Sequence, residues 1–120
     1  MIDIGLVPNP MMPTVLREMD VSLQPSRAEA CTSLPVKEAM ACDASVVGVP
    51  VGDVAWLLEG VANSRLCSYD AKSLADGIAE VLLAKSGGGR ERIRALGLDA
   101  DSVAGKLEAM YLKILRRASP

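Results

Sequence analysis

Two glutamates, Glu29 and Glu38, lie in a segment whose pattern indicates the end of a strand, a polar loop and the start of a helix. Between them, Thr32 or Ser33 supplies a favourable helix N-cap, and Pro35 falls in the first turn, where its missing N–H costs little. The first N–H groups of a helix have no partner within the helix and carry partial positive charge, so they can bind an anion. Two carboxylates beside that anion could accept hydrogen bonds from neutral hydroxyl groups.

A purely structural role would also account for Glu38. A glutamate near the start of a helix commonly stays in solvent, where its negative charge complements the helix dipole. Spacing alone therefore leaves both interpretations open, a ligand site and a solvated first turn.

Length and composition restrict the class of protein. The chain has 120 residues, half of them hydrophobic, which suffices for one small domain. Its net charge is −2, and no stripe of basic residues with interleaved aromatics occurs, so nucleic acid is not an expected partner. The chain has no histidine, the commonest general base and metal ligand. We expect neither a metal nor a cofactor.

The cysteines and the hydropathy pattern indicate the cellular compartment of the protein. Cys31, Cys42 and Cys67 are odd in number and form no C-x-x-C pair, which is typical of reduced thiols in a cytosolic protein. No apolar run approaches the roughly 20 residues that span a bilayer, and no secretory leader pattern occurs at the N-terminus. The sequence thus predicts a cytoplasmic protein without a membrane span.

Strand and helix patterns alternate along the chain and predict a single α/β domain over residues 1–120. This order favours a small parallel sheet of about four strands, joined by right-handed crossovers and flanked by helices. The predicted strands cover residues 2–7, 21–23, 45–49 and 65–68. The predicted helices cover about 12–19, 36–41 and 54–59, followed by C-terminal helices within about 71–117. The last of these carries an apolar stripe at Val103, Leu107, Met110, Tyr111, Ile114 and Leu115.

A set of motifs spans most of the chain. It comprises Asp20-Val21, Pro25-Ser26-Arg27, Glu29, Thr32, Leu34, Glu38-Ala39-Met40-Ala41-Cys42, Val46-Val47 and Val51-Gly52-Asp53-Val54. It resembles the nucleotide-sugar-binding signature of family 4 retaining glycosyltransferases, which are built from two Rossmann-like domains. The resemblance implies half of a Rossmann-like domain, the donor-binding C-terminal part, without the N-terminal domain.

The resemblance also implies roles for individual residues. The helix N-terminus would receive the donor diphosphate on its backbone N–H groups. Glu29, the candidate catalytic residue, would hydrogen-bond the sugar, and Glu38 would hold the ribose hydroxyls. The other implied substrate-binding residues are Arg27, Thr32, Ser33 and Leu34.

Several residues depart from the family pattern. Ala30 replaces the usual glycine and Cys31 follows it, which narrows the space for a phosphate, and Pro35 removes one N–H. Asp43 stands where the family has a helix-ending glycine, and Trp56 stands where a polar residue is usual. Since the resemblance covers only part of a donor domain, we expect weak donor binding and no sugar transfer by the chain alone.

Three functions remain open at this point. The first is the donor-binding half of a glycosyltransferase, and the second is an interaction protein that keeps the fold without the ligand. The third is an independent active enzyme, although no general base stands out. We also expect a homodimer, because a monomer would leave an open strand edge and the apolar stripe of the last helix exposed to solvent. The alternative is that the stripe folds back on its own sheet.

Overall fold

The computed structural model describes residues 3–28, 32–84 and 87–118, with side chains as far as residue 117. Strands and helices alternate through most of it, as the sequence predicts. The strands are β1 (Val21–Gln24), β2 (Ser45–Gly48) and β3 (Arg65–Leu66). A 3-10 turn at Asn9–Met11 leads into the first helix. The helices are α1 (Met12–Arg17), α2 (Leu34–Ala41), α3 (Val54–Leu58), α4 (Ala71–Leu83), α5 (Gly89–Ala95) and α6 (Ala100–Ala118).

The three strands form one parallel sheet in the order β1-β2-β3. Val21 pairs with Ser45 across β1 and β2, and Val47 pairs with Arg65 across β2 and β3. All four residues of β2 are buried, as expected of a central strand that is covered on both faces. The predicted α/β class with a parallel sheet flanked by helices is confirmed, and the sheet is consistent with half of a Rossmann-like domain.

The strand predicted at residues 2–7 is not formed in the part of this segment that the structure describes. Residues 3–8 carry no regular secondary structure. Gly5 has φ +68°, and its backbone N–H donates to Asp3 Oδ1 at 2.8 Å, so a local turn forms where extended backbone was expected. The side chain of Leu6 is almost completely exposed. The described sheet therefore has three strands.

Helices cover the sheet on both sides and divide the core in two. On one side α1, α2, α3 and α5 pack around one face of β2. On the other side α4 packs against the opposite face. The larger cluster includes Val36, Met40, Val46, Leu57 and Ile93, and the smaller one includes Val47, Cys67 and Val81.

Asp43 joins two helices that are far apart in the sequence. It follows α2 with φ +60°, the left-handed conformation in which a glycine commonly ends a helix. Its Oδ1 atom accepts a hydrogen bond of 2.9 Å from Arg90 N at the start of α5. Arg90 Nε in turn donates to the carbonyl oxygen of Ala41 at 2.8 Å. The carboxylate thus caps α5, a function that glycine could not provide.

The last helix leaves the body of the protein. The molecule measures 62 × 29 × 27 Å, and the side chains of residues 103–117 are all exposed. The apolar stripe of α6 does not fold back on the sheet, so that alternative is wrong. In the part of the chain that the structure describes, no helix is long and apolar enough to cross a bilayer.

We expect Asp43→Ala to lower the free energy of unfolding by about 1–2 kcal/mol, because it removes the cap of α5 and leaves a poor residue at positive φ. Asp43→Gly loses the same cap but removes the backbone strain of a non-glycine residue at positive φ. It should therefore lower the free energy of unfolding by less. Urea unfolding measures both. Asp70→Ala is the control, since Asp70 caps α4 at an ordinary φ of −129°. Equal losses for Asp43→Ala and Asp43→Gly would contradict a contribution from the left-handed backbone.

Candidate functional site

Two neighbouring parallel strands bring the candidate site together. The chain leaves β1 at Gln24 and returns to begin α2 at Leu34, while β2 ends at Gly48 and leads into the turn before α3. Parallel strands end at the same edge of a sheet, and this edge is where open α/β sheets bind ligands. Gly52 has φ +53° in that turn, a conformation that glycine adopts without strain. The next residue, Asp53, is thereby directed at the N-terminus of α2.

The carboxylate of Asp53 binds the start of α2 through three contacts. Its Oδ1 atom accepts a hydrogen bond of 2.9 Å from the backbone N–H of Ser33. Its Oδ2 atom accepts one of 2.7 Å from Thr32 Oγ1 and lies 2.8 Å from Lys37 Nζ. We call these four residues the Asp53 cluster. The helix end does bind an anion, and that anion is a side chain of the chain itself.

Two further donors in the first turn of α2 are occupied or missing. Leu34 N donates to the carbonyl oxygen of Thr32 at 3.0 Å, and Pro35 has no N–H. Ser33, one of the two predicted N-caps, is the N-cap of α2, but its side chain forms no capping hydrogen bond. Its Oγ atom is buried without a hydrogen-bond partner. A phosphate could therefore bind the backbone N–H of Ser33 only by displacing the carboxylate of Asp53.

The charge of Asp53 is well stabilised. Partial burial raises the pKa of this carboxyl, but hydrogen bonds from Lys37, Ser33 and Thr32 outweigh that effect and lower the pKa from 3.8 to about 2. The side chains of Lys37 and Asp53 are only 20% and 21% exposed. Water therefore screens this ion pair less than it screens a pair on the open surface.

The remaining predicted site residues lie outside the Asp53 cluster. Glu38 and Leu34 are both exposed and lie one turn apart on α2, and Arg27 is exposed in the loop after β1. Glu29, with Ala30 and Cys31, lies outside the described residues. The structure thus brings Thr32 and Ser33 together at the helix end, and Glu38 takes no part in binding Asp53.

Glu38 lies between two shallow grooves on the surface. One groove runs towards α1 and is lined by Met12 and Leu16. The other runs towards α5 and is lined by Arg90 and Arg94. A carboxylate with open space on both sides is free to accept hydrogen bonds from the hydroxyls of a ligand.

The sequence analysis missed two members of the cluster, Lys37 and Asp53. Lys37 is four residues after Ser33, so it lies one helical turn along the same face, and this spacing could have identified it. Asp53 could have been found from its place in a glycine turn after the neighbouring buried strand. Within the described ranges, no three carboxylate or thiol side chains converge to form a metal site.

The ion pair of Asp53 predicts a specific dependence of stability on pH. Its folded pKa of about 2 lies below the ordinary value of 3.8. The stabilisation is therefore complete above about pH 4 and is lost as the pH falls from about 4 to 2, with a size of about 1–2 kcal/mol.

Urea unfolding at several pH values between 2 and 6 measures this dependence. Asp53→Asn should flatten the profile below pH 4. Asp76→Asn removes an exposed ion pair with Lys72 and should leave the profile unchanged. A profile for Asp53→Asn that matches the unsubstituted protein would contradict the assignment.

Comparison with known proteins identifies the family of the chain. A family model described as "Glycosyl transferases group 1" matches residues 3–84, well over half of the chain. The matched range contains the whole Asp53 cluster as well as Arg27, Leu34 and Glu38. No curated protein and no solved structure is significantly similar to the chain. The extent of the family match shows that the chain belongs to the glycosyl transferases group 1 family.

Proposed function

We propose that this chain is the donor nucleotide-sugar-binding half of a family 4 retaining glycosyltransferase. The observation that carries the proposal is the start of α2 at the carboxyl edge of two parallel strands, within the range that the family model matches. A helix N-terminus at this edge suits a diphosphate. Transfer requires an acceptor-binding domain, so the chain by itself does not transfer sugar. The free thiols of Cys42 and Cys67 support a cytoplasmic location.

Each proposed contact has a simple chemical basis. The diphosphate binds the backbone at the start of α2, next to Thr32, Ser33 and Leu34, with Arg27 in the preceding loop. Glu38 accepts hydrogen bonds from the two ribose hydroxyls, and Glu29 binds the sugar as the candidate catalytic carboxylate. Exposure of Glu38 and Arg27 supports this arrangement, since both are open to a ligand.

The Asp53 cluster makes donor binding weak. A phosphate at the start of α2 has to replace the Asp53 carboxylate as the partner of Thr32, Ser33 and Lys37. The negative charge of Asp53 also repels it at short range. We therefore expect a dissociation constant of about a millimolar or weaker for a nucleoside diphosphate, roughly 4 kcal/mol of binding free energy or less.

Titration of the nitrogen-15-labelled protein with UDP and, separately, with GDP tests the proposal. Amide resonances of residues 32–38 should shift at millimolar ligand, and those of α6 should not. Low-micromolar affinity would contradict the competition with Asp53. Unchanged resonances at 10 mM UDP and at 10 mM GDP would overturn the proposed donor site.

Asp53→Asn should strengthen binding of the nucleoside diphosphate about fivefold, which corresponds to roughly 1 kcal/mol. The change removes a negative charge from the start of α2 and leaves Lys37 free to pair with phosphate. Asp70→Asn is the matched control, because Asp70 accepts a hydrogen bond from Ser73 N at the start of α4, away from the site. The same titration measures both variants.

One observation favours a second function, an interaction protein that retains the fold without the ligand. The start of α2 is already satisfied from within the chain by Asp53, so the fold needs no donor to stabilise it. In that case Asp53→Asn would lower the stability of the protein without creating nucleotide binding. Absence of binding in both the unsubstituted protein and Asp53→Asn would exclude the first function and favour the second.

A further inference from the structure

Helix α5 contacts the two helices whose starts meet at the Asp53 cluster. It lies beyond residue 84, where the family match ends. Ile93 of α5 packs in the same core as Met40 of α2 and Leu57 of α3. Gly89, at the start of α5, is so close to α2 that an added Cβ would lie 2.8 Å from the carbonyl oxygen of Met40. Helix α5 is therefore placed where it can fix α2 and α3 relative to each other.

Two arginines of α5 bind the C-terminal ends of these two helices. Arg90 Nε donates to the carbonyl oxygen of Ala41, the last residue of α2, at 2.8 Å. Arg92 Nη2 donates to the carbonyl oxygen of Trp56, in the last turn of α3, at 2.8 Å. The last carbonyl groups of a helix have no partner within the helix and carry partial negative charge, so a guanidinium stabilises both ends.

Each arginine also lies beside a carboxylate that follows the helix it binds. Arg90 Nη2 lies 3.4 Å from Asp43 Oδ2, after α2, and Arg92 Nη2 lies 3.3 Å from Glu59 Oε2, after α3. The side chain of Arg92 is only 24% exposed, and its Nε atom is buried without a hydrogen-bond partner. The same arrangement thus occurs twice, and it joins the ends of α2 and α3 to one helix.

The position of α3 determines the position of the Asp53 carboxylate. Helix α3 begins directly after Asp53, and Leu57 N donates to the carbonyl oxygen of Asp53 at 2.9 Å. A movement of α3 relative to α2 would therefore carry the carboxylate away from Ser33 N, which lies 2.9 Å from it. A displacement of about 1 Å is enough to break this hydrogen bond, because such bonds weaken steeply beyond their ordinary length.

We propose that Arg92 is a positioning residue for the Asp53 cluster. It binds the end of α3 to α5 while Arg90 binds the end of α2, and this keeps the Asp53 carboxylate at the start of α2. Loss of the Arg92 contact lets α3 move and frees Ser33 N and Lys37 Nζ for a phosphate. This consequence for the donor rests on the proposed function, whereas the effect on the Asp53 cluster does not.

Hydrogen exchange of the Ser33 backbone amide in the full chain tests the positioning without any nucleotide. Arg92→Met removes the guanidinium and keeps an apolar side chain in its place. The exchange rate at Ser33, divided by the rate at Met40 in the same helix, should rise about tenfold, as the loss of one hydrogen bond predicts. A general loss of stability would speed both amides and leave the ratio unchanged. Arg92→Lys can still donate to the carbonyl oxygen of Trp56 and should restore most of the ratio.

Arg65→Met is the matched control. The Arg65 guanidinium binds Glu80 at 2.6 Å and the carbonyl oxygens of Ala62 and Ser64 at 3.1 and 2.9 Å. It therefore makes the same kinds of contact as Arg92, a carboxylate and backbone carbonyl groups, but it binds neither α2 nor α5. Arg65→Met should leave the exchange ratio of Ser33 to Met40 unchanged.

Titration with UDP connects the positioning to the donor site. Arg92→Met should tighten UDP binding about two- to threefold, less than Asp53→Asn, because the carboxylate is displaced but still present. In the Asp53→Asn protein, Arg92→Met should add nothing, since the two changes act through the same contact. If UDP does not bind at all, the proposed function fails, and the exchange ratio alone decides the positioning role.

Three outcomes would overturn the positioning role. They are an unchanged exchange ratio in Arg92→Met, an equal rise in Arg65→Met, and an effect of Arg92→Met on UDP binding that is as large in the Asp53→Asn protein as in the unsubstituted one. Circular dichroism checks that the variants keep their helix content. If Arg92→Met does not fold, Arg92→Gln, which keeps a polar side chain, provides the same comparison.

Discussion

Burial of β2 on both faces is the constraint on which the rest of the described structure depends. One face of this strand packs against α2 and α3, and the other packs against α4. Its two edges pair with β1 and β3. A strand surrounded in this way fixes the plane of the sheet and the edge at which both site loops emerge. The start of α2 and the turn that carries Asp53 meet only because the strands before them run side by side.

At that edge, stability and the proposed donor binding depend on the same groups. The carboxylate of Asp53 neutralises the start of α2 and pairs with Lys37, and the pKa of this carboxyl falls to about 2 as a result. A donor diphosphate would use the same N–H and ammonium groups. When a side chain of the protein occupies an anion-binding helix end, the fold is stable without the ligand. The same contacts lower the affinity for a ligand, because the ligand has to displace that side chain.

The two surfaces that the structure leaves open lie on different elements and follow different chemistry. The carboxyl edge of the sheet presents charged and polar groups, which suit a small hydrophilic ligand. Helix α6 presents exposed apolar side chains, among them Leu107, Met110 and Tyr111. Near its base, α6 is joined to the end of α5 by the hydrogen bond from Lys106 Nζ to the carbonyl oxygen of Gly97.

Features set by neighbouring residues could be predicted from the sequence. The start of α2 near Ser33, with Pro35 in its first turn, has a signature within one helical turn. The β-branched run of β2 and the apolar repeat of α6 are local patterns of the same kind. The family resemblance, carried by motifs such as Glu38-Ala39-Met40-Ala41-Cys42, agrees with the match to glycosyl transferases group 1. The general location of the candidate site followed from the same motifs.

Features set by distant residues required the tertiary structure. Asp53 contacts Ser33 across 20 positions, and Asp43 contacts Arg90 N across 47. Neither pair has a local signature, because their approach depends on how the strands and helices pack. Residues 3–8 have the apolar character of a strand, yet they form none, since an extended segment needs a neighbouring strand and Gly5 turns the chain instead. Local preferences act within a few residues, whereas the sheet edge, the Asp53 cluster and the exposed position of α6 depend on the packing of the whole chain.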